Sequence, residues 1–275
     1  MSADAYIDSL WVYPIKSCGG IAVDAARVTT RGLEHDRRWM VTDEHGRFLS
    51  QRMVAEMALV RLAIAGDGFV VTREGLPPLR LPFLYDDGAR LDSEVWGDPV
   101  RAVRHDEGSD WFSRALGLVA QLVCMPDDAL RPVEPDYARD GDIVSFADGF
   151  PLLVCNRESL QALAAGFPAD DAPPADMRRF RPNLVVAGAA AWAEDRWSAL
   201  TVGAGGGALT LRTPKPCARC SIPGIDPDSA AIGKEPLRTL ARLRTRDHKT
   251  WFGINAIPDG TGTVRVGDAV RPLDR

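Results

Sequence analysis

Short runs in which apolar and polar residues alternate dominate the first hundred residues and predict strands. In IAVDAARVTT, Ile21, Val23 and Ala25 share one side, which is the period of two of a half-buried strand. Two half-apolar runs surround Asp-Glu-His-Gly in RRWMVTDEHGRFLSQR, and ALVRLAIAGDGFVVTREG repeats this pattern around Gly-Asp-Gly. Both patterns predict hairpins. We therefore expect a meander of strands here, and not a βαβ alternation.

Three segments instead have the apolar spacing of helices. SDWFSRALG predicts a helix that Ser109 caps and Gly117 ends. A second helix is predicted from Asn156 to about Gly166, and a third in KEPLRTLARL, with Pro236 in its first turn. Strand-like segments lie between them, such as NLVVAG and GTVRVGDAV. The chain is predicted to be mainly β with short helices, which favours barrels or sandwiches over a doubly wound sheet.

Composition and charge exclude several classes of protein. The chain has 275 residues and a formal net charge of -5, which is long enough for one large domain or two ordinary ones. Mild acidity argues against binding to a nucleic-acid duplex, which normally needs a net basic face. No apolar run approaches the ~18 residues that span a bilayer, and the N-terminus lacks the pattern of a secretory signal. We expect a cytoplasmic protein without a membrane span.

The five cysteines are an odd number in a chain without a secretion signal, which predicts reduced thiols and not a disulfide framework. Cysteine is commonly a small buried hydrophobe. We expect that role for Cys18, Cys124 and Cys155. The other two, Cys217 and Cys220, stand together and need a separate explanation.

Cys217 and Cys220 lie in TPKPCARCSIPGIDPD, a segment rich in proline and glycine. Structural zinc needs about four ligands, and no second CxxC is present. A thioredoxin-type pair would begin a helix, which the following proline and glycine oppose. Lys215 and Arg219 bring positive charge, which lowers a thiol's pKa and favours the thiolate. This setting fits a nucleophile or a ligand for a soft metal in an anionic cofactor, and it leaves both cysteines as candidates.

Five segments, in chain order, resemble the MOSC superfamily with its N-terminal β-barrel companion: WVYPIKSCGG, LEHDRRWMV, RFRPNLVV, KPCARCSIPGIDPDSA and TVRVGDAV. The resemblance extends from about Tyr6 to Pro272. Within this superfamily, the chain most resembles the mitochondrial amidoxime-reducing component and the bacterial proteins that reduce N-hydroxylated bases. It implies a smaller, β-rich N-terminal MOSC β-barrel-type domain in residues 1–125 and a β-barrel MOSC domain in residues 126–275.

The resemblance also implies a molybdenum cofactor, Mo-molybdopterin, with one protein thiolate as a further metal ligand. In the family that ligand is the second cysteine of the pair, so Cys220 would be the metal ligand and the catalytic residue. Cys217 is then expected to be a packed thiol or one beside the ligand. Within HDRRW, Arg37 is at the position that matches the family motif, and Arg38 is not. The matched cofactor-binding positions are Lys16, Ser17, Arg37 and Arg181 at the phosphate end, Asp148, Gly149 and Asn183 around the pterin, and Ala218, Arg219 and Asn255 closing the site near the metal.

The activity that the resemblance implies is a molybdenum-dependent reduction of N-hydroxylated compounds: hydroxylamines, amidoximes and N-hydroxylated nucleobases. No cysteine follows Cys220, so the chain cannot hold the iron–sulfur cluster of some bacterial relatives. We expect electrons from a separate flavin or iron–sulfur protein.

Two alternatives to the reductase stay open. The first is a carrier of molybdenum cofactor or sulfur without reductase activity. The chain has no pyridoxal-phosphate domain, so we do not expect pyridoxal phosphate binding or persulfide formation. The second is a cofactor-free thiol enzyme, with Cys217 or Cys220 as its nucleophile.

Overall fold

Strands form most of the regular structure, as the alternating pattern predicted. The computed structural model describes residues 5–170 and 173–275. Its strands are β1 (Tyr6–Val12), β2 (Ile21–Val23), β3 (Ala25–Thr29), β4 (Gly32–Leu33), β5 (Trp39–Thr42), β6 (Arg61–Ala65), β7 (Gly68–Thr72), β8 (Leu79–Pro82), β9 (Arg90–Val95), β10 (Asp98–His105), β11 (Gln121–Cys124), β12 (Leu152–Asn156), β13 (Leu184–Ala187), β14 (Trp197–Val202), β15 (Leu209–Ala218), β16 (Thr245–Arg246), β17 (Lys249–Pro258), β18 (Gly262–Arg265) and β19 (Val270–Asp274). Its α-helices are α1 (Asp106–Leu116), α2 (Arg157–Ala164) and α3 (Leu237–Arg244).

The largest sheet joins the two ends of the chain. Its strand order is β19-β14-β15-β17-β12-β13-β1-β2, and β16 pairs with β17. All neighbours are antiparallel except β12 and β13, which run parallel. Leu10, Val154, Leu211 and Ile254 belong to one buried cluster on this sheet. The division into residues 1–125 and 126–275 stays a prediction, and the pairing of β1 with β13 crosses it.

Three smaller sheets contain the remaining strands, in the orders β5-β11-β10-β9, β6-β7-β8 and β18-β3-β4. Antiparallel pairing of β6 with β7 confirms the hairpin around Gly-Asp-Gly. A bridge between Thr42 and Phe48 confirms the turn around Asp-Glu-His-Gly. Trp39, Phe69 and Phe112 belong to a second buried cluster, which packs α1 against these strands.

The single strand predicted for IAVDAARVTT is wrong. The chain leaves the first strand at Asp24, so β2 pairs with β1 in the large sheet whereas β3 pairs with β18 and β4. Ala25 is exposed and does not continue the side of Ile21 and Val23. Alternation reports which residues face the same way, but it does not report which neighbouring strand supplies the hydrogen bonds.

The first helix begins earlier than predicted. His105 caps it, since its Nδ1 accepts a hydrogen bond from the backbone N–H of Gly108 at 3.0 Å. The predicted cap, Ser109, lies inside the helix and donates to the carbonyl oxygen of His105 at 2.8 Å. The predicted end is confirmed, because Gly117 has a left-handed φ of 67°. Such a backbone conformation is easiest for glycine.

The second and third helices are confirmed with small shifts at their ends. The Asn156 side chain accepts from the backbone N–H of Glu158 at 3.0 Å and caps α2. Pro236 is at the N-cap of α3, one position before the predicted first turn. Among the residues that the structure describes, no helix is both long and apolar enough to cross a bilayer.

The three cysteines expected in the core are there. Cys18, Cys124 and Cys155 are all 0% exposed. Burial raises the pKa of the Cys18 thiol to about 12, so it stays protonated near neutral pH. These thiols act as small hydrophobes, which leaves Cys217 and Cys220 as the accessible pair.

Candidate functional site

Central strands of the large sheet bring together residues that are far apart in the sequence. Leu153 on β12 pairs with Asn255 on β17, and Asn255 pairs with Lys215 on β15. On the other side of β12, the backbone N–H of Asn183 donates to the carbonyl oxygen of Leu153 at 2.8 Å. The parts of the chain that carry Asn183, Asn255 and Lys215 therefore lie in, or directly before, neighbouring strands.

An open cleft with an empty volume of about 830 Å³ lies against this part of the molecule. Segments from both ends of the chain form its walls. The cleft is lined by all eleven residues that the resemblance singled out: Lys16, Ser17, Arg37, Asp148, Gly149, Arg181, Asn183, Ala218, Arg219, Cys220 and Asn255. Cys217 lines it too. The structure thus brings the predicted positions into one place, and their roles stay a prediction.

Lys16 provides a buried positive charge at one end of the cleft. It is 6% exposed, and its Nζ donates to the carbonyl oxygen of Phe146 at 2.8 Å and to Asp148 Oδ1 at 2.5 Å. Burial lowers the pKa of Lys16, and the carboxylate of Asp148 acts in the opposite direction. For Asp148, burial would raise the pKa, but the Lys16 ammonium group holds it well below the usual range. We infer a charged pair, with one Lys16 N–H left for a ligand.

Two further cations of the cleft, Arg37 and Arg181, both stack on the ring of Tyr13. The guanidinium carbons of Arg37 and Arg181 are 4.4 and 4.3 Å from the centre of the Tyr13 ring. Arg37 pairs with Asp36 at 2.6 Å, whereas Arg181 donates to the backbone oxygen of Cys18 at 2.7 Å. Burial lowers the pKa of Arg181 to about 10. Like charges in a desolvated site favour an anion between them.

One nitrogen of Arg181 marks where such an anion would bind. Its Nη2 is buried and has no hydrogen-bond partner within residues 5–170 and 173–275. Buried donors without partners are uncommon in folded proteins, and because Arg181 lines the cleft, a ligand is one partner that its Nη2 could take. The Asn183 side chain has fewer free hydrogen-bonding groups, because its Oδ1 already accepts from Arg37 and from the Leu153 backbone. The Asn183 Nδ2 donates to the Trp11 oxygen at 3.2 Å, and the same side chain also hydrogen-bonds the Asp36 carboxylate.

Three residues of this cationic end have a left-handed backbone. The φ angles are 68° for Ser17, 46° for Arg37 and 57° for Arg181. Non-glycine residues in this region cost about 1–3 kcal/mol each and cluster at ligand sites, where the surrounding structure holds them. The cationic end is therefore built at a local energetic cost, which is typical of a binding site.

The two thiols line the cleft near the end of β15. Cys217 is the second-last residue of β15, and Cys220 follows that strand; both are half-buried. Arg219 Nη1 lies 3.1 Å from Cys217 Sγ, and Nη2 donates to the carbonyl oxygen of Phe180 at 2.8 Å. Arg219 therefore fixes the thiol-bearing segment to the segment that carries Arg181.

Two expectations about the charge near these thiols are wrong. Burial raises the pKa of Cys217, and the nearby Arg219 only opposes this effect. Lys215 does not line the cleft, because its Nζ pairs with Glu134 at 2.6 Å. Register shifts on both sides of Lys215 interrupt the regular alternation of β15. Cys217 is half-buried and lines the cleft, so its role as a packed thiol or one beside the ligand stays a prediction.

Several lining residues were not anticipated from the sequence. They are Phe48, Ser50, Arg52, Ala147, Phe150, Leu152, Leu153, Phe180 and Ile222. Arg52 stacks on Trp96 at 4.1 Å, and nothing in FLSQR distinguishes it from an ordinary surface cation. By contrast, Arg38 lies outside the cleft lining and bonds to Met125 and Asp127.

The donor set suits an anionic cofactor that carries a soft metal. One part of the cleft has three buried or half-buried cations, and at Arg181 an N–H without a partner in the described part of the chain. Another part has two accessible thiols, which are the side chains that soft metals prefer. A phosphate-bearing dithiolene cofactor can use cations for its phosphate and one thiolate for its metal, so the residues present fit molybdopterin.

Comparison with known proteins identifies the family of the chain. Residues 4–118 match the family described as MOSC N-terminal beta barrel domain, and residues 141–271 match the MOSC domain. The chain belongs to the family of proteins in which these two domains follow one another.

Three relatives illustrate the family. The chain is 30% identical to mitochondrial amidoxime reducing component 2 of Bos taurus, over 96% of this chain and 82% of that protein. It is 28% identical to mitochondrial amidoxime-reducing component 1 of Homo sapiens, with the same two coverages. It is also 30% identical to molybdenum cofactor sulfurase of Oryza sativa subsp. japonica, over 92% of this chain but 32% of that larger protein.

Proposed function

We propose that the chain is a molybdenum-cofactor-dependent reductase of N-hydroxylated compounds that receives electrons from a separate protein. The observation that carries the proposal is the single cleft in which two accessible thiols meet Lys16, Arg37 and Arg181. The relatives named amidoxime reducing component support the choice of reaction. A cytoplasmic location is part of the proposal, and the five free cysteines suit a reducing compartment.

The cationic end would bind the cofactor phosphate. Among the residues that the structure describes, one Lys16 N–H and the Nη2 of Arg181 have no partner, and Asp36 fixes the guanidinium group of Arg37. Charge-assisted hydrogen bonds of this kind are about twice as strong as neutral ones. Ser17 would add its hydroxyl beside Lys16. Together these residues would fix the cofactor's position.

The pterin and the metal would lie between this end and the thiols. Asn183 and the Asp148–Gly149 segment would contact the pterin. Ala218, Arg219 and Asn255 line the adjoining wall, where Asn255 Nδ2 lies 3.4 Å from the Pro216 oxygen. Cys220 would provide the thiolate ligand. Arg219 would keep that wall rigid through its bonds to Cys217 and Phe180.

The overall reaction breaks the N–O bond of the substrate and consumes two electrons and two protons. It converts R–NHOH into R–NH2 and water. The bound cofactor would supply two-electron redox chemistry at a thiolate-ligated metal. Asp148 stays deprotonated near neutral pH, because Lys16 lowers its pKa, so it orients groups at the rim and does not donate a proton. The open cleft lets water deliver the two protons.

An activity assay with small substrates tests the reductase. The cofactor-loaded chain is mixed with benzamidoxime, hydroxylaminopurine or hydroxylamine and with reduced methyl viologen as electron source. We expect formation of the corresponding amidine, amine or ammonia. Product is quantified by chromatography, and the cofactor-free chain is the control. Molybdenum-loaded protein that is inert with all three substrates would refute the reductase.

The second candidate function is a carrier of molybdenum cofactor or sulfur. The relative named molybdenum cofactor sulfurase favours it, since the chain matches a part of that protein. A carrier would bind the cofactor through the same cleft and release it to an acceptor protein. Cofactor transfer to an apo-molybdoenzyme, together with no turnover in the assay above, would distinguish the carrier from the reductase.

A further inference from the structure

The segment of residues 234–249 is strongly basic in an otherwise acidic chain. It contains six Lys or Arg residues against Glu235 and Asp247, a net charge of +4, whereas the whole chain carries -5. The segment comprises α3 and the hairpin that β16 forms with the start of β17. Arg238, another exposed cation of the segment, pairs with Glu235; we call the exposed cations Lys234, Arg242, Arg246 and Lys249 the basic face.

Two cations of the basic face lie directly opposite each other. Arg246 on β16 pairs with Lys249 on β17, and both side chains are exposed. Like charges at paired positions destabilise a hairpin. Arg246 lies 3.5 Å from Asp195, which Arg244 also pairs with, and Lys249 has no ion-pair partner in the described part of the chain. Folding alone does not explain this arrangement, whereas an anionic partner would relieve the repulsion.

The basic face adjoins the thiol-bearing wall of the cleft. The backbone N–H of Arg219 donates to the carbonyl oxygen of Thr250 at 2.8 Å, and Ala218 pairs with Trp251. Lys249 directly precedes Thr250 on β17, and Cys220 directly follows Arg219. A protein docked on the basic face would therefore contact the surface immediately outside the candidate metal ligand.

We propose that the basic face is the docking surface for an acidic electron-transfer protein. The inference rests on the proposed reductase function, which consumes two electrons per substrate. A reduced [2Fe–2S] ferredoxin would deliver one electron in each of two encounters, and a flavodoxin hydroquinone would deliver both. Electrostatic complementarity raises association rates and makes them sensitive to salt. The basic face lies next to the candidate metal ligand, and a redox protein needs to approach that ligand closely. A lipid surface or a nucleic acid has no such need, so the location favours a redox protein.

The test uses the cofactor-loaded full chain and two acidic carriers, a plant-type [2Fe–2S] ferredoxin and a flavodoxin, each reduced by NADPH and its reductase. The variant Arg246→Glu/Lys249→Glu is compared with wild type. We expect kcat/KM for at least one carrier to fall by about tenfold or more, and the wild-type rate to fall steeply with added salt. Reduction driven by methyl viologen should stay unchanged, because neither residue lines the cleft.

The matched control is Arg80→Glu/Arg101→Glu, which makes the same charge change at exposed positions on β8 and β10. It should leave both activities unchanged. The variant Arg246→Gln/Lys249→Gln removes the facing charges without reversing them, and it should fold at least as well as wild type while weakening carrier-driven turnover. An equal loss in the β8–β10 control would show a general charge effect and overturn the proposal.

Binding measurements separate this inference from the reductase. Calorimetric titration with each carrier should give a wild-type affinity that the Glu variant loses, even if no substrate is turned over. If viologen-driven activity is absent but this binding pattern holds, the reductase fails and the docking surface stands. Absence of binding to both carriers overturns the docking surface. Binding of wild type to phosphatidylglycerol vesicles, but to neither carrier, would assign the basic face to a membrane instead.

Discussion

Replacing Cys220 with alanine is expected to lower turnover of benzamidoxime by at least about 100-fold, the upper range for loss of a group that merely supports a metal ligand. This substitution removes the proposed metal ligand itself, so we expect at least that loss of turnover. Cys220 is half-buried, and its removal should change the free energy of unfolding by less than about 1 kcal/mol. Steady-state kinetics and thermal unfolding measure the two effects.

Cys217→Ala is the matched control for this variant, because the same atom type is removed from the same cleft. It should keep most of the turnover and lose only the contact between Arg219 and Cys217. The reverse pattern, with activity lost in Cys217→Ala and kept in Cys220→Ala, would move the ligand to Cys217. Full activity in both variants would contradict a thiolate ligand altogether.

Replacing Arg181 with methionine is the substitution expected to weaken cofactor binding most among the cations. A hydrogen bond to a charged group contributes about 1.5–3 kcal/mol, which corresponds to roughly 10–100-fold in affinity. Within residues 5–170 and 173–275, Arg181 has no carboxylate partner of its own, so its loss leaves no buried anion unpaired there. Titration of the cofactor-free variant with isolated molybdopterin measures the affinity.

Arg38→Met makes a closely matched comparison. Arg38 is also largely buried and donates to one backbone oxygen, that of Met125, at 2.6 Å, much as Arg181 donates to Cys18. Its carboxylate partner Asp127 is 75% exposed and returns to water. Both variants should therefore lose similar stability, but Arg38→Met should keep its affinity for molybdopterin. Equal affinities in the two variants would refute a phosphate site at Arg181.

Local patterns predicted the elements better than their partners. The hairpin around Gly-Asp-Gly follows from alternation and turn residues, which act over a few neighbours. The break at Asp24 depends on a strand more than two hundred residues away, since β3 pairs with β18. The cap at His105 was missed because a ring nitrogen replaces the hydroxyl that usually accepts this bond. Long-range pairing and unusual caps are therefore beyond what sequence periodicity reports.

Sequence motifs predicted which residues line the candidate site, but they did not predict its electrostatics. RPN, HDRRW and KPCARC indicated the residues that line one cleft, because family motifs carry side chains together with their backbone setting. Lys215 was expected near the thiols, yet Glu134 binds it elsewhere, and Arg52 joins the lining from an unremarkable turn. Burial raises the pKa of Cys217 more than Arg219 lowers it, and the sequence alone does not reveal this burial. Charge balance depends on distances that only the fold sets.

The bond between the Cys220 sulfur and molybdenum is the central claim, and X-ray absorption at the molybdenum edge measures it most directly. The chain is purified from cells that make the cofactor, and the number of sulfur ligands per metal is compared between wild type, Cys220→Ala and Cys217→Ala. We predict molybdenum in the wild-type chain, one sulfur ligand fewer in Cys220→Ala, and an unchanged sulfur count in Cys217→Ala. Wild-type protein without molybdenum, or the same sulfur count in wild type and Cys220→Ala, would contradict the claim.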